Sequence, residues 1–209
     1  MSAVVSPCLG HIAATISNIT ASEQLYRIGI VSDLLAAIGV VVLTWALYVV
    51  LKPINRNVAL VALLFWVCEA CILGFVTLFS MIVLMLSSGA EYLAAFEPDQ
   101  LHALALLSLK ARFAGFDIAL LFFGFGSGLF AYLFFKSKFV PRLLALLGIV
   151  ASIVMVLNVC ANVLFPLRAV PPIGGMSIFS YELLIGFWLL FRGINQKDII
   201  AKRQSDRVT

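Results

Sequence analysis

Charged side chains are scarce in this sequence, because they make up 11% of its residues, against roughly 25% in a soluble domain. The sequence also lacks the basic segment and apolar stretch that open a cleavable signal peptide. Its four cysteines do not suggest a disulfide framework, since three of them lie inside apolar runs. What it has in excess is apolar surface. Hydrophobic residues make up 63%, more than one water-soluble core of 209 residues can bury, so lipid is the expected solvent.

Five apolar runs are long enough to cross a bilayer, which takes about 20 helical residues. They occupy 28–51, 58–86, 113–135, 143–165 and 173–191, and the third helix is expected to begin near Leu101. Each is predicted to be a helix, because an isolated strand cannot satisfy its backbone hydrogen bonds in lipid. The predicted fold class is all-α: a polytopic membrane protein with a bundle of five transmembrane helices over 23–192. Residues 1–22 are expected to be disordered or loosely ordered, and 193–209 to form a basic tail.

The basic residues predict the orientation of the chain. Ten of them flank the apolar runs on one side: Lys52, Arg56, Lys136, Lys138, Arg142, Arg192, Lys197, Lys202, Arg203 and Arg207. The opposite side carries Glu23, Glu91, Glu97 and Asp99. Because basic flanks stay in the cytoplasm, a cell-membrane protein is expected, with its N-terminus outside and its C-terminus cytoplasmic. The pI near 9.0 does not indicate nucleic-acid binding, since these residues lie between apolar runs rather than on one polar face.

Several short segments, taken in order, carry a family resemblance. They include Ser-Glu-Gln-Leu-Tyr-Arg at the start of 22–35, Leu-Lys-Pro-Ile-Asn-Arg-Asn at 51–57 and Lys-Ser-Lys-Phe-Val-Pro-Arg at 136–142, with others at 98–101, 122–124 and 182–193. From about Thr20 onward the chain resembles the bacterial integral-membrane family DUF4386, whose name records an unknown function. Members usually carry another span before the first segment, so the resemblance implies a five-span form of a six-span family. It implies no catalytic residue.

Two carboxyl groups near the middle of apolar runs are the strongest functional signal. At about 1.5 Å per helical residue, Glu69 lies roughly 17 Å and Glu182 roughly 14 Å from the cytoplasmic ends of their helices. An acidic residue at that depth is costly and marks a functional-site hypothesis. Thr44, Asn158 and Asn162 are expected to face the same interior. The sequence predicts a proton relay or cation site there or, alternatively, neutral acids that hydrogen-bond to neighbouring helices.

A second group of charged residues is expected near the outer membrane face. Asp33 and Asp117 both lie roughly 27 Å from the cytoplasmic ends of their helices, and Lys110 and Arg112 are one to two turns further out. These four side chains are a candidate ion cluster. Because interfacial charges cost little, the favoured interpretation is a salt bridge that locks the first helix to the third.

Three motifs favour packing over chemistry. Cys68 and Cys71 form a Cys-x-x-Cys in mid-helix, away from any aqueous thiol, so small packing residues are expected rather than a redox pair. Gly124 and Gly128 form a Gly-x-x-x-Gly, which predicts close contact between helices. His102 lies in an acidic loop without a second histidine nearby, a weak metal signal. We therefore predict no catalytic residue, metal or cofactor.

Three functional hypotheses remain open from the sequence. The leading one is a non-enzymatic membrane protein with a polar interior: a small transporter, proton-coupled carrier or sensor. The second is a membrane-embedded enzyme acting on a lipid, quinone or thiol, and the third is a structural subunit of a membrane complex. A carrier requires a pocket that reaches Glu69 or Glu182, an enzyme requires an accessible reactive group, and a structural subunit requires a filled interior. The expected partners are the lipid bilayer and, for a carrier, a small-molecule or ion ligand.

Overall fold

The chain is all-helical over the residues described by the computed structural model, which are 23–88, 93, 95–165 and 173–193. The helices are α1 (Glu23–Leu51), α2 (Arg56–Leu86), α3 (Pro98–Ser137), α4 (Arg142–Leu164) and α5 (Ile173–Arg192). All five are long and apolar enough to cross a membrane, which confirms the predicted fold class. The segment 1–22, expected to be loosely ordered and to lack a further span, lies outside the described residues, as does the tail beyond residue 193.

The helix boundaries follow from local chemistry. The side-chain Oδ1 of Asn55 accepts a hydrogen bond of 3.1 Å from the backbone N–H of Val58, which caps the start of α2. Pro98 is the first residue of α3, a position where the missing N–H has no cost, so this helix begins three residues before the expected Leu101. At the end of α5, Gly193 adopts a φ of +63° and its N–H donates to the carbonyl of Leu189 at 3.1 Å. Such a left-handed residue is a common helix stop.

The length of α3 exceeds what a membrane requires. Its 40 residues extend about 60 Å, whereas the hydrocarbon core of a bilayer is about 30 Å thick. The apolar run at 113–135 forms the second half of this helix. The first half carries three charged residues, Asp99, Lys110 and Arg112, so we expect part of it to project beyond the hydrocarbon.

The chain divides into two compact units, and α1, α2 and α3 each contribute to both. The first unit comprises Met1–Gly39 and Cys71–Phe116. Within it, Arg112 of α3 donates from Nη2 to Oδ2 of Asp33 in α1 at 2.7 Å. Gly115 of α3 lies against Val76 of α2, and a Cβ atom at residue 115 would stand 2.5 Å from Val76 Cγ2. The missing side chain therefore allows this close contact between α2 and α3.

The second unit comprises Val40–Ala70 and Asp117–Thr209, and it holds the larger apolar core. One cluster of buried side chains lies where α1, α2 and α3 approach the α3–α4 connection: Leu51, Ala59, Ala62, Trp66, Phe130, Leu133, Phe134, Phe139, Val140 and Ala145. Another joins α3, α4 and α5: Ala131, Ala151, Met155, Val159, Ile178 and Tyr181. Small residues in both clusters let the helices approach closely, as is common where lipid provides no hydrophobic drive for helix association.

Three glycines of α3 are close contact points in the second unit. Gly124 and Gly128 both face α4, where added Cβ atoms would stand 2.9 Å from Val156 Cγ2 and 3.3 Å from Ser152 Cβ. Gly126 points instead to α2, and a Cβ atom there would overlap the indole ring of Trp66. The glycine-rich segment of α3 thus serves two helix contacts at once, in line with the packing interpretation of its Gly-x-x-x-Gly pattern.

Candidate functional site

The second unit contains a cavity of about 300 Å³. Four helices supply its lining: Leu43 and Leu47 from α1, Trp66 from α2, Ser127, Phe130 and Phe134 from α3, and Phe179, Tyr181, Glu182, Leu183, Ile185, Gly186 and Leu189 from α5. The α3 residues recur at helical spacing, so they lie on one face of that helix. The interior of this unit is therefore not completely filled by side chains.

Aromatic rings form much of the cavity wall. Contacts with two other rings fix the position of the Trp66 indole. Trp66 stacks on Phe123 with ring centroids 5.4 Å apart and meets the edge of Phe130 at 5.1 Å. Its Nε1–H donates to the backbone carbonyl of Phe123 at 3.3 Å. These contacts hold the indole in one orientation with its ring beside the cavity. Tyr181, which is also buried, packs its ring against Gly148 of α4.

Glu182 borders the cavity, and Glu69 lies next to it. The carboxyl groups of Glu69 on α2 and Glu182 on α5 are close enough to interact electrostatically. Glu69 is 5% exposed, whereas Glu182 is partly exposed on the cavity wall. No lysine or arginine lines the cavity among the described residues. The fold thus brings together two acids that are 113 positions apart in the sequence, without a basic partner on the cavity wall.

Three buried polar atoms in this unit have no hydrogen-bond partner among the described residues. They are Oγ1 of Thr44, Oε2 of Glu69 and Oγ of Ser127, in side chains that are 0%, 5% and 2% exposed. Ser127 lines the cavity directly. Thr44 and Glu69 each lie three positions from a lining residue, Leu47 and Trp66, and so share a helix face with it. An unpaired buried polar group costs about 1–3 kcal/mol, so these atoms mark a place where a ligand or water would be stabilising.

The two asparagines expected to join this interior lie elsewhere on α4. Asn158 packs against α5 at Gly174, where an added Cβ would stand 2.8 Å from the Asn158 Cβ. Since Gly174 precedes Glu182 by eight residues, Asn158 is displaced by about 12 Å along the helix axis. Asn162 is one turn further away, and neither residue lines the cavity. Of the five residues proposed for the polar site, the structure brings Glu69 and Glu182 together and places Thr44 on a neighbouring buried face.

The proposed outer ion cluster is represented in the structure by one pair. Asp33 and Arg112 form the 2.7 Å ion pair of the first unit, with side chains 45% and 29% exposed. Lys110 is exposed and pairs with no described acid, while Asp117 belongs to the second unit. The contact between Asp33 and Arg112 has the geometry expected for a salt bridge that joins α1 and α3.

Cys68 and Cys71 differ from the packing residues that we expected. Both side chains are exposed, because Trp66, Glu69 and Ala70 occupy the buried face of α2 and the two cysteines point away from it. In a membrane they would contact lipid rather than another described helix. Their positions are separate from the cavity wall.

Sequence reasoning missed several residues of this cavity. Ser127 lies between Gly124 and Gly128, where the sequence pattern predicts only helix packing, and no pattern pointed to Trp66 or Gly186. Trp66 lies three residues before Glu69 on α2, and Gly186 lies four residues after Glu182 on α5. Residues at these spacings share a helix face, so the two acids were the available signal for both. The contribution of α1 had no such signal, because leucines in an apolar helix do not indicate which of them face inward.

Comparisons with known proteins assign no activity to this chain. The family described as "Domain of unknown function (DUF4386)" matches residues 1–193, a range that starts before Thr20, where the sequence motifs begin. An "Uncharacterized protein" of Archaeoglobus fulgidus is 27% identical over 156 residues, which cover 75% of this chain and 78% of that protein. No solved structure matches the chain.

Proposed function

Since the chain belongs to the DUF4386 family, whose description assigns no activity, we propose from the geometry of the second unit that this membrane protein is a small proton-coupled carrier. The observation that carries the proposal is the position of Glu182 on the wall of the 300 Å³ cavity, with Glu69 beside it. The volume is that of a small-ligand site. A purely structural subunit would fill this space with side chains.

The carboxyl groups of Glu69 and Glu182 couple ligand binding to proton movement. In an apolar site the charged form of an acid is disfavoured, so both carboxyls are neutral when the cavity is empty. A ligand that compensates negative charge allows one carboxyl to lose its proton, and departure of the ligand requires the proton to return. Because two adjacent acids in one site titrate as a pair, proton release and ligand binding are linked through both Glu69 and Glu182.

The orientation of the carrier follows from its basic flanks. We place the N-terminus outside the cell membrane and the C-terminus in the cytoplasm, with Lys52, Arg56, Lys136, Lys138 and Arg142 at the cytoplasmic surface. In this orientation the connection between α2 and α3 is external. Glu69 and Glu182 then lie near the middle of the membrane, where access to either side can alternate.

Cysteine labelling tests this orientation in a chain whose native cysteines (Cys8, Cys68, Cys71 and Cys160) are replaced by alanine. A membrane-impermeant maleimide added to intact cells is expected to modify a thiol introduced by Ser88→Cys, because that exposed residue follows the external end of α2. It should spare a thiol introduced by Ser205→Cys until the cells are permeabilised. The reverse pattern would overturn the orientation and the depths derived from it.

Proton flux tests the carrier. The protein is reconstituted in liposomes with a trapped pH indicator and an imposed pH gradient, and three small aromatic probes of different charge are added in turn. The probes are benzyltrimethylammonium as cation, benzenesulfonate as anion and benzyl alcohol as neutral compound. We expect at least one probe to accelerate proton movement, because its binding changes the protonation of the carboxyl pair.

The matched variants are both glutamate-to-glutamine changes. Glu182→Gln keeps the shape of the neutral acid but cannot exchange a proton, so the probe-dependent flux should fall to the level of empty liposomes. Glu97→Gln alters an exposed carboxyl at the start of α3 and should retain the flux. If none of the three probes produces a flux that depends on Glu182, the protein is not a proton-coupled carrier of small molecules through this cavity.

A further inference from the structure

The chemistry of the cavity wall identifies a class of ligand. We propose that the cavity binds a lipophilic monovalent organic cation, such as a quaternary ammonium ion with apolar substituents, in exchange for one proton. This inference deepens the proposed carrier function and rests on it for transport, although binding can be measured separately. It follows from the aromatic lining, the acids without a basic partner, and the exposed rim.

Aromatic side chains make up five of the thirteen lining residues: Trp66, Phe130, Phe134, Phe179 and Tyr181. The faces of such rings attract a cation through their quadrupole, with Trp the strongest, and a desolvated site strengthens the attraction. Aromatic side chains around a site recognise quaternary ammonium groups, whose charge is spread over methyl or larger apolar substituents. The remaining wall is mostly aliphatic, which suits those substituents and would not solvate a small metal ion.

The charges around the cavity also favour a cation. Its titratable neighbours are Glu69 of α2 and Glu182 and Tyr181 of α5, while the lining residues of α1 and α3 carry no titratable group. Oγ of Ser127 adds a buried acceptor that has no partner among the described residues. An anion would meet two acids and no basic group here, whereas a cation can be neutralised by a single carboxylate.

Charge balance defines the stoichiometry. With both carboxyls protonated, the empty site is neutral. When a monovalent cation enters, Glu182 loses one proton to the aqueous phase, the O–H bond breaks with its electron pair left on the carboxylate, and the occupied site is neutral again. Glu69, which is only 5% exposed, keeps its proton. One proton is therefore released for each cation bound.

The rim of the cavity indicates the route of entry. Leu43 of α1 and Phe179 and Leu183 of α5 line the cavity and are 50%, 62% and 47% exposed. The opening therefore faces outward between α1 and α5, where apolar side chains meet the hydrocarbon of the bilayer. A lipophilic cation that has partitioned into the membrane can enter sideways, whereas a strongly hydrated ion cannot.

Binding to the purified protein tests the inference. In a Trp45→Phe, Trp188→Phe background, Trp66 is the remaining tryptophan and reports directly from the cavity wall. Benzyltrimethylammonium should change its fluorescence saturably and, in weak buffer with a pH indicator, release one proton per ion bound. Glu182→Gln should weaken binding about tenfold or more, which corresponds to about 1.4 kcal/mol, and abolish proton release.

Two pairs of comparisons separate charge from shape. Neopentylbenzene has the shape of benzyltrimethylammonium without its charge, so it should bind at least about tenfold more weakly and release no proton. Gly186→Leu should block the cavity, because Gly186 lines it and the space in front of its missing Cβ is open. Gly175→Leu is the matched control, since it also faces open space on α5 but does not line the cavity.

The rim provides a variant that spares the buried core. Phe179→Leu removes one exposed ring but preserves apolar character, so it should weaken the cation roughly two- to fivefold and leave neopentylbenzene unaffected. Equal binding of the two compounds, or cation binding that is insensitive to both Glu182→Gln and Gly186→Leu, would overturn the proposed site.

The two proposals fail in different ways. If benzenesulfonate or benzyl alcohol drives a Glu182-dependent flux and the cation does not bind, the carrier stands and the assignment of its ligand is wrong. If the cation binds with release of a proton and no probe drives flux, the cation site stands and the carrier is wrong.

Discussion

Replacing Gly126 with alanine is expected to lower the free energy of unfolding by about 2 kcal/mol, although alanine is the better helix former. The new Cβ would overlap Cδ1 of Trp66, stand 2.7 Å from its Nε1 and lie 3.3 Å from the backbone oxygen of Ala62. Trp66 cannot easily move, because Phe123 and Phe130 hold its ring. Overpacking a core costs about 1–3 kcal/mol, and we expect a cost near the upper limit because the Trp66 ring is held rigidly. The helix-propensity gain of about 1 kcal/mol offsets only part of that.

The control is a glycine-to-alanine substitution at a position where the added Cβ meets no other atom. Gly74→Ala on α2 adds a Cβ with no neighbour within 4 Å, so the propensity gain is unopposed and stability should stay equal or rise. Thermal unfolding in detergent, followed by tryptophan fluorescence, measures both variants. Adding Trp66→Phe to Gly126→Ala should recover part of the loss, because the smaller ring relieves the overlap. Equal melting temperatures for the two alanine variants would contradict the close α2–α3 contact.

Breaking the ion pair between Asp33 and Arg112 is expected to cost about 1–2 kcal/mol. Exposed surface pairs contribute about 0–1 kcal/mol, whereas an unpaired charge at a membrane centre costs about 2.5–3.5 kcal/mol. These side chains are 45% and 29% exposed on helices that span the membrane, which places the expected loss between those limits. Arg112→Gln leaves the Asp33 carboxylate without its partner, and Asp33→Asn leaves the guanidinium unpaired. Each should lower the melting temperature in detergent.

A second ion pair of the same length provides the comparison. Glu23 and Arg27 also meet at 2.7 Å, but they are one turn apart on α1 and 50% and 59% exposed. Glu23→Gln should therefore change stability by no more than about 0.5 kcal/mol. Exchanging the charges through Asp33→Arg with Arg112→Asp should restore most of the lost stability, because it re-forms an ion pair between α1 and α3. If the exchanged protein is no more stable than the single variants, direct pairing is not what stabilises this contact.

The helices and the buried acids of this protein could be predicted from the sequence, but the cavity between them could not. The five spans and their limits were predictable to within a few residues, because hydropathy and helix-terminating residues such as Pro53 and Gly193 act locally. Glu69 and Glu182 could be identified individually, since a mid-span acid is conspicuous. The cavity between their helices could not, because it is empty space whose walls come from four separate segments of the sequence.

By itself the sequence determined that this chain is an all-helical membrane protein, because 63% apolar composition in runs of spanning length leaves no other solvent for it than lipid. Only the tertiary structure decided which face of each helix turns inward. These helices are apolar nearly all round, so periodicity does not distinguish a buried leucine from one that faces lipid. Contacts such as Gly126 with Trp66 and Gly148 with Tyr181 set how closely the helices approach. That packing places Glu182 within electrostatic range of Glu69 and leaves Asn158 about 12 Å from Glu182 along the helix axis. It also turns Cys68 and Cys71 outward.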